Sequence, residues 1–210
     1  MNVKEPIRRR MLDLRNSMLP ETVRHLSAEV GRHFLSEIGR LKTTEEHEKI
    51  DPLQAIGLYA STQNEVETDP IFLSLKQQGA IGEIGKIKIF YPRVDNGGDI
   101  GGAMQFFPLE TLSDLAVGRW NIREPKPITN QIPTPMSDLD LVVLPGVAFD
   151  EQGHRLGMGK GYYDRALASY EGVKVGLAYE FQILKDVPWG EHDVTCDWIV
   201  TEKRLIQTKC

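Results

Sequence analysis

The run LDLVVLPG, residues 139–146, is the sequence feature that most restricts how this chain can fold. It is almost continuously apolar and ends at a Pro-Gly break, which is typical of a strand buried on both faces. Strands of this kind belong to parallel sheets that are covered on both sides, usually by helices. The run therefore predicts the interior of an α/β sheet.

Segments of strand and helix character alternate around this run. TDPIFLSLKQQG predicts a helix with Thr68 or Asp69 as N-cap, Pro70 in the first turn and Gly79 at the end. The strand candidates are AIGLYA, KIKIFYP, AMQFFP, KVGLAYE and DWIVTE. This order predicts an α/β fold, a single-domain three-layer sandwich with a mainly parallel central sheet flanked by helices, over residues 1–210.

Two amphipathic helices are predicted before this body, over about residues 4–42. The apolar stripe of the first is Ile7, Met11, Leu14 and Met18. Arginines at positions 8, 9, 10 and 15 surround that stripe and are typical of a solvated helix face. The stripe of the second is Val23, Leu26, Val30, Phe34, Ile38 and Leu41. KTTEEHEKIDP and the glycine-rich DNGGDIGG predict exposed loops or insertions.

Composition excludes several classes of protein. The formal net charge of -5 disfavours non-specific nucleic-acid binding, which needs a broad basic surface. No apolar run is long enough to span a bilayer, and the N-terminus lacks a signal-peptide core. Cys196 and Cys210 form neither a metal-ligand pair nor a disulfide framework. A cytoplasmic protein is expected, although a mature organellar protein would have the same features.

The stretch RLGMGKGYYDRAL, residues 155–167, predicts an anion site. Gly157, Gly159 and Gly161 allow a ligand to approach the backbone closely, and Lys160 adds a mobile positive charge. Amide groups at the start of the following helix can point at the same anion. The spacing matches neither a Walker A loop nor a dinucleotide fingerprint. A flexible glycine-rich turn is the alternative interpretation.

Aspartates near this stretch are candidate metal ligands. Asp164 lies in the first turn of the predicted helix, where it is either a dipole-stabilising residue or a Mg²⁺ ligand. GEHDVTCD supplies Asp193 and Asp197 as possible second ligands. Position alone does not choose between them, and each is equally interpretable as a solvated loop carboxylate.

Several ordered motifs resemble one known family. LPGVAFDEQGHRLGMGKGYYDR is similar to the signature of the 5-formyltetrahydrofolate cyclo-ligases, also called 5,10-methenyltetrahydrofolate synthetases. KEPIRRRMLDLRNSMLPE, LYASTQNEVETDPI, FYPRV, RWNIREP and VPWGEHDVTCDWIVTE resemble further segments of that family, in the same order. The resemblance extends over most of the chain.

The resemblance implies an ATP- and Mg²⁺-dependent enzyme. In the family reaction the N5-formyl oxygen of 5-formyltetrahydrofolate takes the γ-phosphoryl group of ATP. N10 then closes the ring, giving 5,10-methenyltetrahydrofolate, ADP and phosphate. The expected partners are these two substrates, without nucleic acid or membrane, and the expected assembly is a monomer or a weak homo-oligomer.

The resemblance also implies roles for individual residues. Lys160 and Arg155 would be catalytic, and Asp164 and Asp193 would hold Mg²⁺. The residues implied in ATP binding are Lys4, Arg8, Arg155, Leu156, Gly157, Met158, Gly159, Lys160, Gly161, Tyr162, Tyr163 and Asp164. The residues implied in folate binding are Ala60, Glu65, Trp120, Met158, Gly159, Lys160, Gly161 and Tyr162. Without the resemblance, Trp120 would be interpreted as plain core, and Glu65 as a loop residue or as part of the following helix cap.

Other functions stay open at this stage. A non-catalytic folate- or nucleotide-binding protein would have the same scaffold, and a small-molecule kinase would share the phosphate loop. A nucleic-acid-binding module would depend on the arginine-rich N-terminus alone. The acidic remainder of the chain counts against that last alternative.

Overall fold

A computed structural model describes residues 3–39, 41, 53–81, 87–95 and 102–208. The predicted loop KTTEEHEKIDP and most of DNGGDIGG lie outside these residues. The main sheet of the described chain has the strands β1 Ala55–Gly57, β2 Lys88–Val94, β3 Met104–Pro108, β6 Leu141–Leu144, β9 Val173–Leu177, β11 Trp198–Val200 and β12 Leu205–Gln207. Their spatial order is β12-β11-β9-β6-β1-β2-β3.

This main sheet is parallel in its interior and antiparallel at its two edges. β1 pairs in parallel with β2 and β6, and the parallel pairing continues through β9 to β11. The edge strands β3 and β12 pair antiparallel with β2 and β11. The predicted α/β fold with a mainly parallel sheet is therefore confirmed.

β6 shows why the LDLVVLPG run is so apolar. Leu141 and Val143 are fully buried in one hydrophobic cluster, together with residues of the helices α2 Pro20–Glu37 and α3 Asp69–Ile81. Val142 and Leu144 are equally buried in a second cluster. Successive side chains of a strand point to opposite faces, so β6 is covered on both. The three-layer arrangement as a whole stays a prediction.

The N-terminal helices follow their apolar stripes with one exception. In α2, Val23, Val30 and Phe34 are buried as predicted. In the first helix, α1 Lys4–Asn16, Met11 is buried but Leu14 is 45% exposed. Arg15, expected on a solvated face, is instead only 1% exposed. Arg15 can lie in the interior because the Gln63 and Gly146 carbonyls accept its guanidinium N–H groups.

The start of α3 agrees with the sequence, but its end does not. Thr68 takes the N-cap position, since its carbonyl accepts a hydrogen bond from the Phe72 amide at 2.9 Å. Gly79 lies within the helix, which continues to Ile81. A glycine inside a helix costs only about 1 kcal/mol relative to alanine, which burial of apolar side chains earlier in the helix offsets.

Smaller elements surround the carboxyl ends of the parallel strands. A three-stranded sheet contains β7 Ala148–Asp150, β8 Arg155–Leu156 and β10 Ile183–Leu184. A hairpin is formed by β4 Leu115–Val117 and β5 Arg123–Pro125. The short helix α4 Tyr162–Ala166 follows the glycine-rich loop.

Among the described residues, every helix is too short or too polar to span a bilayer.

The connections between strands leave a crevice between β1 and β6. From β1 the chain continues to β2 on one side, whereas from β6 it continues to β9 on the other. Loops that follow these two neighbouring parallel strands therefore diverge at their carboxyl ends. Ligands of open α/β sheets bind at such a topological switch point.

Candidate active site

A cavity of about 630 Å³ opens at this crevice. The segments that line it are the N-terminal part of α1, the loop after β1, the β4–β5 hairpin, the loop after β6 and the glycine-rich loop after β8. Every residue that the sequence analysis assigned to ATP, folate or metal lies in its wall: Lys4, Arg8, Ala60, Glu65, Trp120, Arg155 to Asp164, and Asp193. Their roles remain predictions, but the fold brings them to one place.

The glycine-rich loop is packed against α1. Gly159 and Gly161 have φ angles of 84° and 63°, a left-handed conformation that favours glycine. Arg8 Nε donates a hydrogen bond to the Gly157 carbonyl at 3.0 Å. A Cβ atom on Gly159 would lie 3.2 Å from Arg8 Nη2, so the glycine allows Arg8 to approach the loop.

The helix after the loop is shorter than the sequence suggests. α4 has five residues. Its N-cap position is Gly161, which has no side chain to cap the helix. A helix of this length aligns few peptide dipoles, so its field at an anion is weak. An anion in the cavity would therefore interact mainly with positive side chains of its wall, among them Lys4, Arg8, Arg155 and Lys160.

Arg155 is buried and holds Asp164. Its side chain is 4% exposed, and Nη2 donates to Asp164 Oδ1 at 2.7 Å. Nη1 donates to the Pro145 carbonyl, in the loop after β6, at 3.2 Å. Asp164 Oδ1 also accepts from the Val194 amide at 3.2 Å. Arg155 therefore connects the Asp164 carboxylate to Pro145, which directly follows β6.

The structure separates the two candidate second ligands. Asp193 lies in the cavity wall, where its Oδ2 accepts from the Gly190 amide at 2.8 Å and forms an ion pair with Lys4 Nζ. Asp197 Oδ2 instead pairs with Lys174 Nζ at 3.2 Å, away from the cavity-lining residues. Of these two carboxylates, Asp193 is therefore the one that lies in the cavity wall.

Asp164 and Asp193 suit Mg²⁺ better than they suit a metal ion whose ligands all come from protein side chains. Among the described residues no group of three or more His, Cys, Asp or Glu side chains could hold a metal ion. Mg²⁺ commonly takes one or two carboxylates and completes its shell with water and substrate phosphates. Asp164 and Asp193 fit that donor set because the chain brings them close together. Asp164 accepts a hydrogen bond from the amide of Val194, the residue after Asp193.

Glu65 is a largely buried carboxyl on the loop after β1. Its side chain is 11% exposed, and Oε2 accepts a hydrogen bond from the Thr62 amide at 3.0 Å. Gln63 and Asn64, between them, have φ angles of 47° and 57°. Burial raises the pKa of Glu65 to about 7, although the Arg15 guanidinium and the Thr62 hydrogen bond act in the opposite direction.

Arg15 is a residue that the motif-based assignment missed. Its Nη2 lies 3.9 Å from Glu65 Oε1, and it is almost completely buried behind the cavity. The sequence did contain a signal, because Lys4, Arg8 and Arg15 fall four and seven residues apart and so share one helical face. The interpretation of Arg15 as part of a solvated helix face overlooked that periodicity.

An aromatic pair borders the cavity. Trp120, between β4 and β5, is 54% exposed, so its interpretation as plain core is wrong. Its ring contacts that of Tyr162 at a centroid distance of 5.5 Å. Trp120 has a φ of 53°, a strained backbone for a large residue, which the surrounding hairpin maintains. Ala60 lies in the same cavity wall and is 6% exposed.

Comparison with known proteins finds relatives of one family. The model of the 5-formyltetrahydrofolate cyclo-ligase family matches residues 1–202. A 5-formyltetrahydrofolate cyclo-ligase of Mus musculus is 32% identical over 163 residues, covering 74% of this chain and 77% of its own. One of Escherichia coli K12 is 31% identical, covering 71% and 79%. The NMR structure of Aquifex aeolicus 5,10-methenyltetrahydrofolate synthetase superposes with a TM-score of 0.76 and 29% identity, covering 99% of this chain and 94% of that one.

Proposed function

Because the chain belongs to the 5-formyltetrahydrofolate cyclo-ligase family, we propose that it uses ATP and Mg²⁺ to convert 5-formyltetrahydrofolate to 5,10-methenyltetrahydrofolate, ADP and phosphate. Family membership identifies the chain as an enzyme of this class. The dependence on ATP and Mg²⁺, the mechanism and the residue roles are the proposed part.

The reaction needs activation of a poor leaving group. The formyl oxygen attacks the γ-phosphorus, the bond to the β-phosphate oxygen breaks, and ADP leaves. N10 then attacks the formyl carbon and loses its proton, and the activated oxygen departs as phosphate. Phosphoryl transfer of this kind depends mainly on positioning and on neutralisation of charge, rather than on an acid–base triad.

The cavity supplies the positive charge for that step. Lys4 and Arg8 reach it from α1, while Arg155 and Lys160 belong to β8 and to the glycine-rich loop. We assign ATP phosphates to this group of side chains and to the loop of residues 155–164. Lys160 is the exposed member, so its ammonium group is free to follow the transferred phosphoryl group.

Asp164 and Asp193 are the proposed Mg²⁺ ligands. When bound, the ion would neutralise phosphate charge during transfer. Arg155 orients Asp164 and Lys4 is paired with Asp193, so both carboxylates are held toward the cavity before a ligand arrives. Preorganisation of this kind lowers the cost of assembling a reactive complex.

The folate is assigned to a second group of cavity residues, Ala60, Glu65 and Trp120. A Glu65 carboxylate can accept two N–H hydrogen bonds from the guanidine-like edge of a pterin. Trp120 offers a flat apolar surface, and Ala60 leaves room beside it. The stretch from Met158 to Tyr162 borders both groups, so it is where the formyl oxygen and the γ-phosphate are proposed to meet.

One observation carries the proposal. Residues far apart in sequence, from Lys4 to Asp193, line a single cavity at the switch point of the sheet. A chance assortment of loop residues would leave several of them on unrelated surfaces. We further propose a single domain over residues 1–210, a cytoplasmic location, and a monomer or weak homo-oligomer.

The test is a direct assay with purified protein. 5-Formyltetrahydrofolate, ATP and Mg²⁺ are mixed with the protein, and the near-ultraviolet absorbance of the methenyl product is followed together with ADP release. Equal amounts of both products are expected, and neither without ATP. ATP bound but intact would favour a binding protein, and ADP release without methenyl product would favour a kinase.

A further inference from the structure

One face of α1 carries charged groups at two places, in the cavity wall and against the loop after β1. Lys4 and Arg8, near its start, line the cavity beside the glycine-rich loop. Arg15, near its end and on the same face, is buried against the loop after β1. Its neighbours Arg9 and Arg10 are exposed, so burial is specific to Arg15 among the arginines at the helix centre and end.

Arg15 joins the two loops that diverge at the switch point. Its Nε donates to the Gln63 carbonyl at 2.9 Å, and its Nη1 donates to the Gly146 carbonyl at 3.1 Å. Asn64 completes the connection from the other side, because its Nδ2 donates to the Arg15 carbonyl at 3.0 Å. The turn that contains Glu65 is therefore attached both to α1 and to the end of β6.

The remaining guanidinium nitrogen is directed to Glu65. Arg15 Nη2 is buried and has no hydrogen-bond partner among the described residues, and Glu65 Oε1 lies 3.9 Å from it. A buried N–H group without an acceptor is costly, so this nitrogen favours a carboxylate at that distance. Arg155 provides a parallel, since it bonds the adjacent Pro145 carbonyl and holds Asp164.

We propose that Arg15 is a positioning residue for folate recognition, which holds the Glu65 carboxylate ionised and oriented from the same helix that presents Lys4 and Arg8 to ATP. This inference rests on the proposed function, in which Glu65 accepts pterin N–H groups. Arg15 itself does not line the cavity, so it acts through Glu65.

Among the groups around Glu65, Arg15 is the one whose charge favours the ionised carboxylate. Tyr59, Tyr163 and Tyr179 surround the carboxyl from the loop after β1, from α4 and from the end of β9. Burial raises the pKa values of these phenols above their usual range, so they stay neutral. Arg15 is the charged group that opposes the burial of Glu65.

The experiment compares Arg15→Met with Arg15→Lys and with the matched control Arg10→Met on the exposed side of α1. We expect Arg15→Met to raise KM for the folate by about tenfold or more while changing KM for ATP by less than about twofold. The acid limb of kcat/KM for the folate should move to higher pH. Arg15→Lys, which keeps the charge, should restore that limb, and Arg10→Met should change neither quantity.

A second readout does not depend on turnover. The Glu65 carboxyl is titrated by NMR in protein labelled with ¹³C-glutamate, and Glu65→Gln identifies its signal. An upward shift of its pKa in Arg15→Met, but not in Arg10→Met, is expected.

An unmoved carboxyl titration, or equal increases of KM for folate and ATP, overturns the inference. Absence of methenyl product from the unaltered protein would instead overturn the proposed function. If Arg15→Met does not fold, Arg15→Lys decides. An acid limb at the same pH as in the unaltered protein supports the inference, and an acid limb moved to higher pH in folded Arg15→Lys overturns it.

Discussion

Glu65 is the residue at which burial and charge compete most directly. Desolvation favours its neutral form, and Arg15 favours its ionised form, leaving a pKa of about 7. Only the carboxylate can accept two N–H groups from a pterin, so folate affinity should follow its ionisation.

We therefore predict that kcat/KM for 5-formyltetrahydrofolate rises with pH through about 7 and levels off above it. Below that pH the carboxyl is protonated and loses acceptor capacity. Glu65→Gln should weaken folate binding much more than ATP binding and remove the pH dependence. Steady-state kinetics across pH measure both, with the neighbouring Glu67→Gln as control. Equal weakening of the two substrates would place Glu65 elsewhere.

Lys160 carries an exposed charge in the middle of the glycine-rich loop. We predict that Lys160→Ala lowers kcat by about two to three orders of magnitude, because it removes charge stabilisation during phosphoryl transfer. Exposure of the side chain means that the fold should persist, which circular dichroism checks. Lys185→Ala, also an exposed lysine but outside the cavity, should keep full turnover. Unchanged turnover in Lys160→Ala refutes the assignment.

At the scale of elements, helices were easier to predict than the short strands. Long apolar stripes such as that of α2 repeat often enough to specify a buried face. β7, β8 and β10 have two or three residues each, too few for a periodic signal, and depend on pairing with distant partners. The glycine-rich loop was recognisable, but the shortness of α4 was not, because its end follows from packing of Leu167 and Tyr170.

The α2 stripe leads to a stability prediction. Phe34 is completely buried against the sheet, so Phe34→Ala should lower the free energy of unfolding by about 3–5 kcal/mol. Urea denaturation followed by fluorescence measures the change. Leu73→Ala on α3, where the side chain is 58% exposed, should change it by less than about 1 kcal/mol. A loss in Phe34→Ala as small as that expected for Leu73→Ala would mean that α2 is not packed as described.

At the scale of the whole molecule, the cavity links the first helix to the last third of the chain. Lys4 pairs with Asp193, and Arg8 bonds the Gly157 carbonyl. A ligand that engages both segments binds only the folded state, so it should stabilise the protein as a unit.

MgATP at a hundred times its Kd should accordingly raise the free energy of unfolding by about 2.7 kcal/mol. Asp193→Asn should remove most of the increment that Mg²⁺ adds to ATP, because one carboxylate ligand is lost. Thermal unfolding with ATP alone and with MgATP measures that increment. Asp186→Asn, at an exposed position outside the cavity, is the control. A full Mg²⁺ increment in Asp193→Asn would contradict the metal assignment.

The sequence by itself determined the α/β class, the parallel interior of the sheet, the N-terminal helices and the position of the glycine-rich loop. These features are local, because periodicity and turn chemistry report which faces of a short segment avoid water. The ordered motifs also determined the family.

Only the tertiary structure decided which charged groups meet. It brought Glu65 to Arg15, gave Asp193 to the cavity and Asp197 to Lys174, and exposed Trp120 at the cavity wall. The physical reason is that a charge can be buried only where a partner from a distant segment offsets its desolvation. The helix sequence places Arg15 on the face of Lys4 and Arg8, but the burial of Arg15 and its partners required the assembled fold.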